Sequence, residues 1–290
     1  MHLLSFGEII WDVFPDGAHI GGAPLNFAAH TVLQGGKASL LSAVGDDELG
    51  RRAIAEISSL GIGSEYVCLA PEYPTGRCNV TLDQNRVPSY DLLDNTAYDR
   101  IPCPDALTEP DVLAFGTLAL RHGFNRDSVK ALLSQRVWCE VFCDLNIRAP
   151  FYSDGSISLC LENASIVKIS DEELSTVTLS ALGKTLSVRD AAREIAKKYP
   201  RIKLVLITLG AMGEYAYDVK SDSDFECGVT DYPVISTVGA GDSFGAAFLY
   251  WYLCGKDIPT CLKIASNVSG FVVSREGAVP KYDIDRLINS

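Results

Sequence analysis

The segment Ser236–Gly245, with the sequence STVGAGDSFG, has the clearest potential for chemistry in this chain. Its small residues at 239–241 directly precede a long apolar run that predicts a helix. Such residues let backbone N–H groups turn toward an anion, and the dipole of the following helix adds partial positive charge. Asp242 would then lie in the first helical turn, beside the anion. An Asp there is also a common helix cap, but a cap does not need three small residues before it, so the pattern favours a phosphate-handling site.

A second motif, Gly21–Asn26 with the sequence GGAPLN, combines a glycine turn with a polar side chain. We expect Asn26 on the first turn of the helix that follows. Asp12 comes shortly after the first predicted strand, and open α/β sheets bind ligands at the carboxyl ends of their parallel strands. The motif therefore predicts a ligand site, although an ordinary loop capped by Asn26 would explain it when it is taken alone.

A third motif, Thr208–Gly213 with the sequence TLGAMG, follows the apolar run Lys203–Ile207. It could cradle a nucleotide phosphate, or it could be a β-turn leading to the next apolar run at 214–219. The tripeptide Gly183–Thr185 resembles the end of a P-loop. The first glycine of a P-loop would fall on Thr178, however, and no strand precedes it, so we exclude that motif.

Apolar strand-like runs alternate with helix-like segments over most of the chain. This rhythm predicts an α/β fold in which helices cover both faces of a mainly parallel central sheet. We predict strands at residues 3–10, 37–44, 111–115, 138–144, 165–169 and 203–208. We predict helices at residues 23–34, 48–60, 125–135, 171–179, 187–198, 240–254 and 258–273.

Residues 64–95 break this rhythm, because short β-rich runs follow one another there without an intervening helix. Residues 13–20 form another short extended piece. We therefore predict a small β lid, made of 13–20 and 64–95, inserted into an α/β core made of 1–12, 21–63 and 96–290. Exposed lid strands commonly pair with another chain, so a homodimer through the lid is one expectation.

Composition argues against several classes of partner. The 290 residues include 25 Lys and Arg against 37 Asp and Glu, a net charge of −12 that no basic run offsets. Such a surface repels nucleic acid and anionic membranes. No run of about 18 apolar residues predicts a membrane span. The first residues lack a basic start followed by a long apolar run, so we do not expect them to be a secretion signal. The nine cysteines are scattered without a C-x-x-C pair, which predicts a reducing, cytoplasmic location.

Taken together, these motifs resemble the signatures of the PfkB, or ribokinase-like, carbohydrate kinase family. The N-terminal signature covers Gly21–Gly45 and the C-terminal signature covers Ser236–Leu249. The resemblance extends over essentially the whole chain. It implies a ribokinase-like fold, an ATP-dependent sugar kinase activity, a small-molecule sugar and ATP as ligands, and Mg²⁺ as the metal.

The resemblance also implies roles for residues at matching positions. Asp242 corresponds to the catalytic base that takes the proton from the sugar hydroxyl. From its place at a helix N-terminus we expect the pKa of Asp242 to be lowered. The anion hole for the transferring phosphoryl group corresponds to the backbone amides of Gly239, Ala240 and Gly241. The residues that bind the sugar hydroxyls correspond to Asp12, Gly22 and Asn26.

Two further segments resemble family elements on the nucleotide side. Ser170–Glu173 (SDEE) resembles the N-x-x-E element, in which Glu173 would organise Mg²⁺ through water. Asp144–Arg148 (DLNIR) resembles the D-x-N-x-R segment of fructokinase-like members, which would place Arg148 near the phosphates. Taken alone, Arg148 would be a surface ion-pairing residue. The remaining nucleotide-binding positions are Ser170, Thr208, Gly210, Gly213 and Ser266.

Three serines differ from the family pattern. Ser236 replaces the Asp that helps to hold an activating monovalent cation in the family, so we expect little dependence on K⁺. Ser170 and Ser266 replace Asn residues on the nucleotide side, so we expect the nucleotide contacts to differ there.

The acceptor sugar follows from the finer resemblance. Gly7–Asp12 and Gly21–Asn26 are most similar to fructokinases, which implies D-fructose as substrate and fructose 6-phosphate as product. Ribokinase and 2-keto-3-deoxygluconate kinase are alternatives with the same fold. The carboxylate of the second substrate would require a cation in the lid, for which Arg77 and Arg86 are available. An inactive sugar sensor is an alternative from a different class, but the retained Asp242 argues against it.

Overall fold

The computed structural model describes residues 1–14, 17–82, 88–107 and 109–288, and Arg86 lies outside them. The strands are β1 (His2–Phe6), β2 (Ile10–Phe14), β3 (Gly17–Gly21), β4 (Lys37–Val44), β5 (Gly63–Leu69), β6 (Arg77–Leu82), β7 (Pro88–Leu92), β8 (Val112–Phe115), β9 (Glu140–Asp144), β10 (Ile166–Ser170), β11 (Leu204–Thr208), β12 (Glu214–Asp218) and β13 (Ser223–Cys227). The helices are α1 (Ala23–Leu33), α2 (Glu48–Ser59), α3 (Gly123–Gln135), α4 (Asp154–Asn163), α5 (Asp171–Leu182), α6 (Val188–Lys198), α7 (Ala240–Leu253), α8 (Ile258–Val273) and α9 (Ile284–Ile288).

The large sheet has the strand order β5-β4-β1-β8-β9-β10-β11-β12-β13. Every pairing from β5 to β11 is parallel, whereas β12 and β13 pair antiparallel at one edge. The predicted α/β fold with a mainly parallel central sheet is therefore confirmed. The antiparallel pairing of β11 with β12 also shows that the third motif forms the turn between these two strands.

Helices pack on both faces of this sheet and enclose two apolar cores. One core contains residues of α3, α4, α5 and α6, and the other contains residues of α1, α2, α7 and α8. Successive side chains of a strand point to opposite faces, so Val205 and Ile207 lie in the first core while Leu204 and Leu206 lie in the second. This two-sided burial explains why the strands are continuous apolar runs in the sequence. Among the described residues, none of the helices is long and apolar enough to cross a membrane.

Most predicted elements match the observed ones, and the predicted bounds of β4 and α8 are those of the structure. The single strand predicted at 3–10 is in fact two strands, because the chain leaves the large sheet after Phe6 and enters a second sheet at Ile10. The sequence analysis did not predict α4 or β13.

The second, smaller sheet has the order β3-β2-β6-β7. It differs from the predicted lid in two places. We predicted β5 in the lid, but β5 pairs with β4 in the large sheet, where Tyr66 and Cys68 pack against one core and Val67 against the other. We placed residues 10–12 in the core, but they belong to β2 of the small sheet. The runs that form β5 and β6 have similar strand-forming composition, so only their packing partners decide between the two sheets.

Candidate active site

Many of the predicted functional residues lie at the carboxyl ends of the parallel strands. β9 ends at Asp144, β10 at Ser170 and β11 at Thr208. These strands are neighbours, so their last residues lie side by side. Helices α1 and α7 pack against each other, and their first turns bring Asn26 and Asp242 to the same place. The fold thus assembles one pocket from both glycine-rich signatures.

A hydrogen bond joins these two signatures. Asn26 Nδ2 donates to Asp242 Oδ2 over 2.8 Å. Asn26 is only 5% exposed, and its Oδ1 has no hydrogen-bond partner within the described residues. A buried amide oxygen without a partner is costly, so this atom is available to accept a hydrogen bond from a ligand hydroxyl.

Two glycines hold the backbone at the start of these helices. Gly22 precedes α1 with φ 117°, and a Cβ there would lie 2.4 Å from the carbonyl oxygen of Glu8. Gly239 precedes α7 with φ 80°, and a Cβ there would lie 2.5 Å from the carbonyl oxygen of Ala278. Both positions combine a left-handed backbone with close packing, which explains why the motifs require glycine.

The start of α7 presents free N–H groups, although not quite those we expected. The Ala240 N–H donates to the carbonyl of Thr237 over 3.3 Å, so it is partly occupied. In the described part of the chain, the N–H groups of Gly239, Gly241 and Asp242 donate to no backbone carbonyl. Two of the three predicted amides, Gly239 and Gly241, are therefore free to bind an anion at this helix N-terminus, and the Asp242 amide joins them.

The expected lowering of the pKa of Asp242 is wrong. Burial raises its pKa to about 6, and the negative charge of Asp144 acts in the same direction. The hydrogen bond from Asn26 and the charges of Lys168 and Arg148 lower it by less. Loss of hydration and a neighbouring carboxylate are the largest effects on this group, and both favour its protonated form, which makes Asp242 a better proton acceptor than an ordinary Asp.

A buried ion pair that the sequence analysis missed lies next to Asp242. Lys168 Nζ lies 2.8 Å from Asp144 Oδ2 and 3.0 Å from Asp144 Oδ1. Burial alone would lower the pKa of Lys168, but Asp144 and Glu173 outweigh it, so its pKa is raised and the side chain stays charged. A lysine within the apolar strand Ile166–Ser170 is the signal that could have identified it.

Glu8 is a second missed residue of the pocket. It is buried, and burial raises its pKa to about 7 although backbone hydrogen bonds at Glu8 and Ala23 oppose the rise. Together with Asp144 and Asp242, Glu8 lines a cavity of about 20 Å³ whose opposite wall is apolar and includes Phe142. This volume is enough for about one water molecule.

Asp12 and Arg148 do not line this cavity, but both lie near the elements that form it. Asp12 lies on β2 of the small sheet, opposite His19, and burial raises its pKa. A Cβ on Gly21 would lie 3.7 Å from Asp12 Oδ2, so the carboxylate lies beside the glycine turn. Arg148 is exposed after β9, and its guanidinium makes no hydrogen bond or ion pair within the described ranges. Its charge still lowers the pKa of Asp242, so it is near enough to act on the pocket.

Glu173 lies in the first turn of α5 and forms a capping box with Ser170. One of its carboxylate oxygens accepts a hydrogen bond from the Ser170 N–H over 2.9 Å, and the other accepts one from the Ile147 N–H. These bonds fix the carboxylate and leave further lone pairs free. Oxygen donors of this kind suit Mg²⁺, which usually retains several of its waters, so Glu173 fits the predicted metal role.

The predicted nucleotide-binding residues form a continuous strip. Ser170 is the register partner of Thr208 on the neighbouring strand, and Thr208 is in turn the partner of Glu214 on β12. Ser266, on α8, lies close enough to the carboxyl of Glu214 to lower its pKa, and its hydroxyl donates to the carbonyl of Gly228 over 3.5 Å. The turn that carries Gly210 and Gly213 lies between β11 and β12, next to these positions.

Glu214 was not predicted as part of this strip. Burial raises its pKa to about 7, and its Oε2 has no hydrogen-bond partner among the residues that the structure describes.

Ser236 lies on the loop before α7, where its hydroxyl accepts a hydrogen bond from the Val238 N–H over 3.3 Å. The loop side chains Val234, Ile235 and Val238 are mostly exposed.

The sequence matches the model of the pfkB family carbohydrate kinases over residues 6–284. Among curated proteins, it is 26% identical to a probable fructokinase-5 of Arabidopsis thaliana, over 96% of this chain and 93% of that protein. It is 27% identical to a fructokinase of Solanum tuberosum, over 96% of this chain and 91% of that protein.

Solved structures show the same fold. An uncharacterized sugar kinase from Pyrococcus horikoshii, solved in complex with ATP, aligns with a TM-score of 0.82 and 26% identity over 99% of this chain and 97% of that chain. A fructokinase from Vibrio cholerae O395, with fructose, ADP and calcium bound, aligns with a TM-score of 0.81 and 23% identity over 97% of this chain and 95% of that chain.

Proposed function

Because the chain belongs to the pfkB family of carbohydrate kinases, we propose that it transfers the γ-phosphoryl group of ATP to a hydroxyl of a free sugar, with D-fructose as the substrate and fructose 6-phosphate as the product. The observation that carries this proposal is the hydrogen bond between Asn26 and Asp242. It places a candidate base, a free amide oxygen and a helix N-terminus within one pocket. A positioned proton acceptor and groups that stabilise phosphate charge are what phosphoryl transfer to an alcohol uses, and the amide oxygen can hold a hydroxyl of the acceptor.

The sugar would bind between the small sheet and the start of α1. The unpartnered Oδ1 of Asn26 can accept a hydrogen bond from one sugar hydroxyl. The Asp12 carboxylate, beside the glycine turn, can accept hydrogen bonds from two more. In this arrangement the small sheet lies over the sugar and excludes water, which would otherwise compete as the acceptor of the phosphoryl group.

Asp242 would take the proton of the reacting hydroxyl. As the bond from the hydroxyl oxygen to the γ-phosphorus forms, the bond from that phosphorus to the β,γ-bridging oxygen breaks and ADP leaves. The hydroxyl proton passes to a carboxylate oxygen of Asp242. With a pKa of about 6, Asp242 is mostly ionised at pH 7 and is more basic than an ordinary Asp.

Positive groups around the pocket would offset the charge of the phosphates. The N–H groups of Gly241 and Asp242 can donate to oxygens of the transferring group. Arg148 makes no ion pair within the described residues, so its guanidinium is available for a phosphate. Mg²⁺ held through water near Glu173 would neutralise charge on the phosphate chain when it is bound. Ser170, Thr208, Gly210, Gly213 and Ser266 would bind the nucleotide.

Fructose is supported by the curated relatives, several of which are fructokinases at about a quarter identity. The motif Gly21–Asn26 supports the same choice. A 2-keto-3-deoxygluconate kinase remains the second candidate, because Arg77 lies on β6 of the small sheet and could meet a substrate carboxylate. Ribokinase is the third candidate with the same fold.

The test is an ADP-release assay with ATP, Mg²⁺ and a panel of sugars, using wild-type protein and Asp242→Asn. We expect the highest kcat/KM with D-fructose and a product phosphorylated at the 6-hydroxyl. A preference for 2-keto-3-deoxygluconate or ribose would correct the substrate and leave the kinase assignment in place. Sugar binding in calorimetry, without ADP release in the presence of any sugar, would identify a sensor and refute the proposal.

Light scattering tests the homodimer through the small sheet, which stays a prediction.

A further inference from the structure

Lys168 is a deeply buried cation next to Asp144, and none of the roles above uses it. Its side chain is 6% exposed. Lys168 stands in β10, where its sequence neighbours Val167 and Ile169 are apolar and face the opposite side of the sheet. Burying an ammonium in a sheet costs several kcal/mol, and its attraction to one carboxylate often does no more than offset that cost. Hydrophobic residues in place of both Lys168 and Asp144 would often serve a fold at least as well as such a buried pair. The charge itself therefore requires an explanation.

The ammonium lies directly under the first turn of α7. A Cβ built on Gly241 would lie 3.1 Å from Lys168 Nζ and 3.6 Å from its Cε. The missing side chain of Gly241 thus leaves room for the ammonium beside the helix N-terminus. The Gly241 N–H is also one of the three amides there that donate to no backbone carbonyl within the described residues.

Lys168 retains hydrogen-bonding capacity in this position. An ammonium has three N–H donors. Two of them serve the Asp144 oxygens at 2.8 and 3.0 Å, and the described residues provide no third acceptor. One donor is therefore left for a ligand that carries oxygens.

The surrounding charges show what Lys168 must balance. The carboxylates of Asp144, Glu173 and Asp242 all act on it electrostatically. A transferring phosphoryl group brings further negative charge into this space. Without a fixed cation, these carboxylates would repel the group that the helix N-terminus is arranged to bind.

We propose that Lys168 is a catalytic residue. It donates its third N–H to an oxygen of the transferring phosphoryl group and, together with the Gly241 amide, neutralises negative charge there. This inference rests on the proposed kinase function. In this role the Lys168 ammonium stabilises the transition state, so its removal should lower kcat and leave sugar binding largely intact.

The experiment compares wild-type protein with Lys168→Met and Lys168→Gln, and with Lys203→Met as a matched control. Lys203 also pairs with a carboxylate, that of Glu140, but at the opposite ends of the strands. We measure kcat, the KM for sugar, and the affinities for ADP and for ADP with aluminium fluoride, each in the presence of sugar. The Gln variant can still donate to Asp144, which keeps the test informative if the Met variant does not fold.

We expect Lys168→Met and Lys168→Gln to lose about 10²- to 10³-fold in kcat, as for loss of one donor of an oxyanion hole. The affinity for ADP with aluminium fluoride should fall by a similar factor, whereas the affinity for ADP and the KM for sugar should change by less than about threefold. Methylammonium should partly restore kcat in Lys168→Met and have no effect on Lys203→Met.

A purely structural Lys168 would give a different pattern. The inference would be refuted if the Lys168 variants lost sugar binding, ADP binding and kcat equally, or if their kcat stayed within about threefold of wild type. In either case an active wild-type enzyme would still uphold the proposed function. A wild-type protein that phosphorylates no sugar would instead refute the proposed function, and this inference with it.

Discussion

Asn26 and Asp242 are 216 positions apart in the chain, yet Asn26 Nδ2 donates a 2.8 Å hydrogen bond to Asp242 Oδ2. The contact exists because α1 and α7 pack side by side on one face of the large sheet. It has two consequences. The bond lowers the pKa of Asp242 against the larger effect of burial, and it uses the amide nitrogen of Asn26 while Oδ1 is left without a partner among the described residues.

Asp242→Asn tests the proposed base. The amide keeps the shape of the side chain and cannot accept the proton, so we expect kcat to fall by about 10² to 10⁴. Sugar affinity in calorimetry should change little. Asp171→Asn is the control, because Asp171 also lies in the first turn of a helix but is exposed. Wild-type turnover by Asp242→Asn would remove Asp242 from the mechanism.

The pH dependence of kcat/KM reports the protonation of Asp242. The base must be ionised, so we expect kcat/KM to fall as the pH drops through about 6, by tenfold per pH unit below that. Asn26→Leu removes a hydrogen bond that lowers this pKa, so its acid limb should shift to higher pH. An unchanged midpoint in Asn26→Leu would show that the limb belongs to another group.

Asp12→Ala tests the sugar site. Hydrogen bonds to a carboxylate contribute about 1.5–3 kcal/mol each, so losing one or two of them should weaken sugar binding by at least tenfold. ATP binding should be retained, and calorimetry measures both affinities. Asp91→Ala, an exposed position on the same small sheet, should leave both unchanged. Loss of ATP affinity in Asp12→Ala would instead place Asp12 on the nucleotide side.

Glu8→Gln tests the cost of a buried carboxyl. Burial raises the pKa of Glu8 from 4.5 to about 7, so folding favours its protonated form. The protonated Glu8 therefore adds to the free energy of unfolding relative to the ionised side chain. This contribution is fully present below pH 4.5 and is lost as the pH rises through 7. The shift corresponds to roughly 3 kcal/mol. We expect Glu8→Gln to be more stable than wild type at pH 8 and similar to it at pH 4.5, as measured by urea unfolding. A stability difference independent of pH would contradict the assignment.

Ser236→Asp tests the monovalent cation. A hydroxyl cannot supply the negative charge of the family's Asp, so exchanging K⁺ for tetramethylammonium at constant ionic strength should change the kcat of the wild type little. Constant ionic strength matters because a chain with a net charge of −12 responds to general screening. Ser236→Asp should create K⁺ activation. Strong activation of the unmodified protein would show that Ser236 does not weaken the cation site.

The motif residues and the order of most strands and helices could be predicted from the sequence, because they depend on local chemistry. A left-handed backbone requires glycine at Gly22 and Gly239, and burial on both faces makes strands such as β11 continuously apolar. Such preferences are visible without knowing what any residue contacts. For the same reason, the sequence identified the parallel α/β fold and both halves of the candidate site.

The tertiary structure alone decided how these parts interact. The pKa of Asp242 is raised, and not lowered as expected from the helix dipole, because burial and Asp144 surround it with unfavourable charge and little water. Lys168 lies beside Asp144 and Gly241 only because β9, β10 and α7 meet at one edge of the sheet. β5 joins the large sheet because its side chains fit both cores. Charge, solvation and strand pairing depend on distances between residues that are far apart in the chain, and local sequence patterns do not contain those distances.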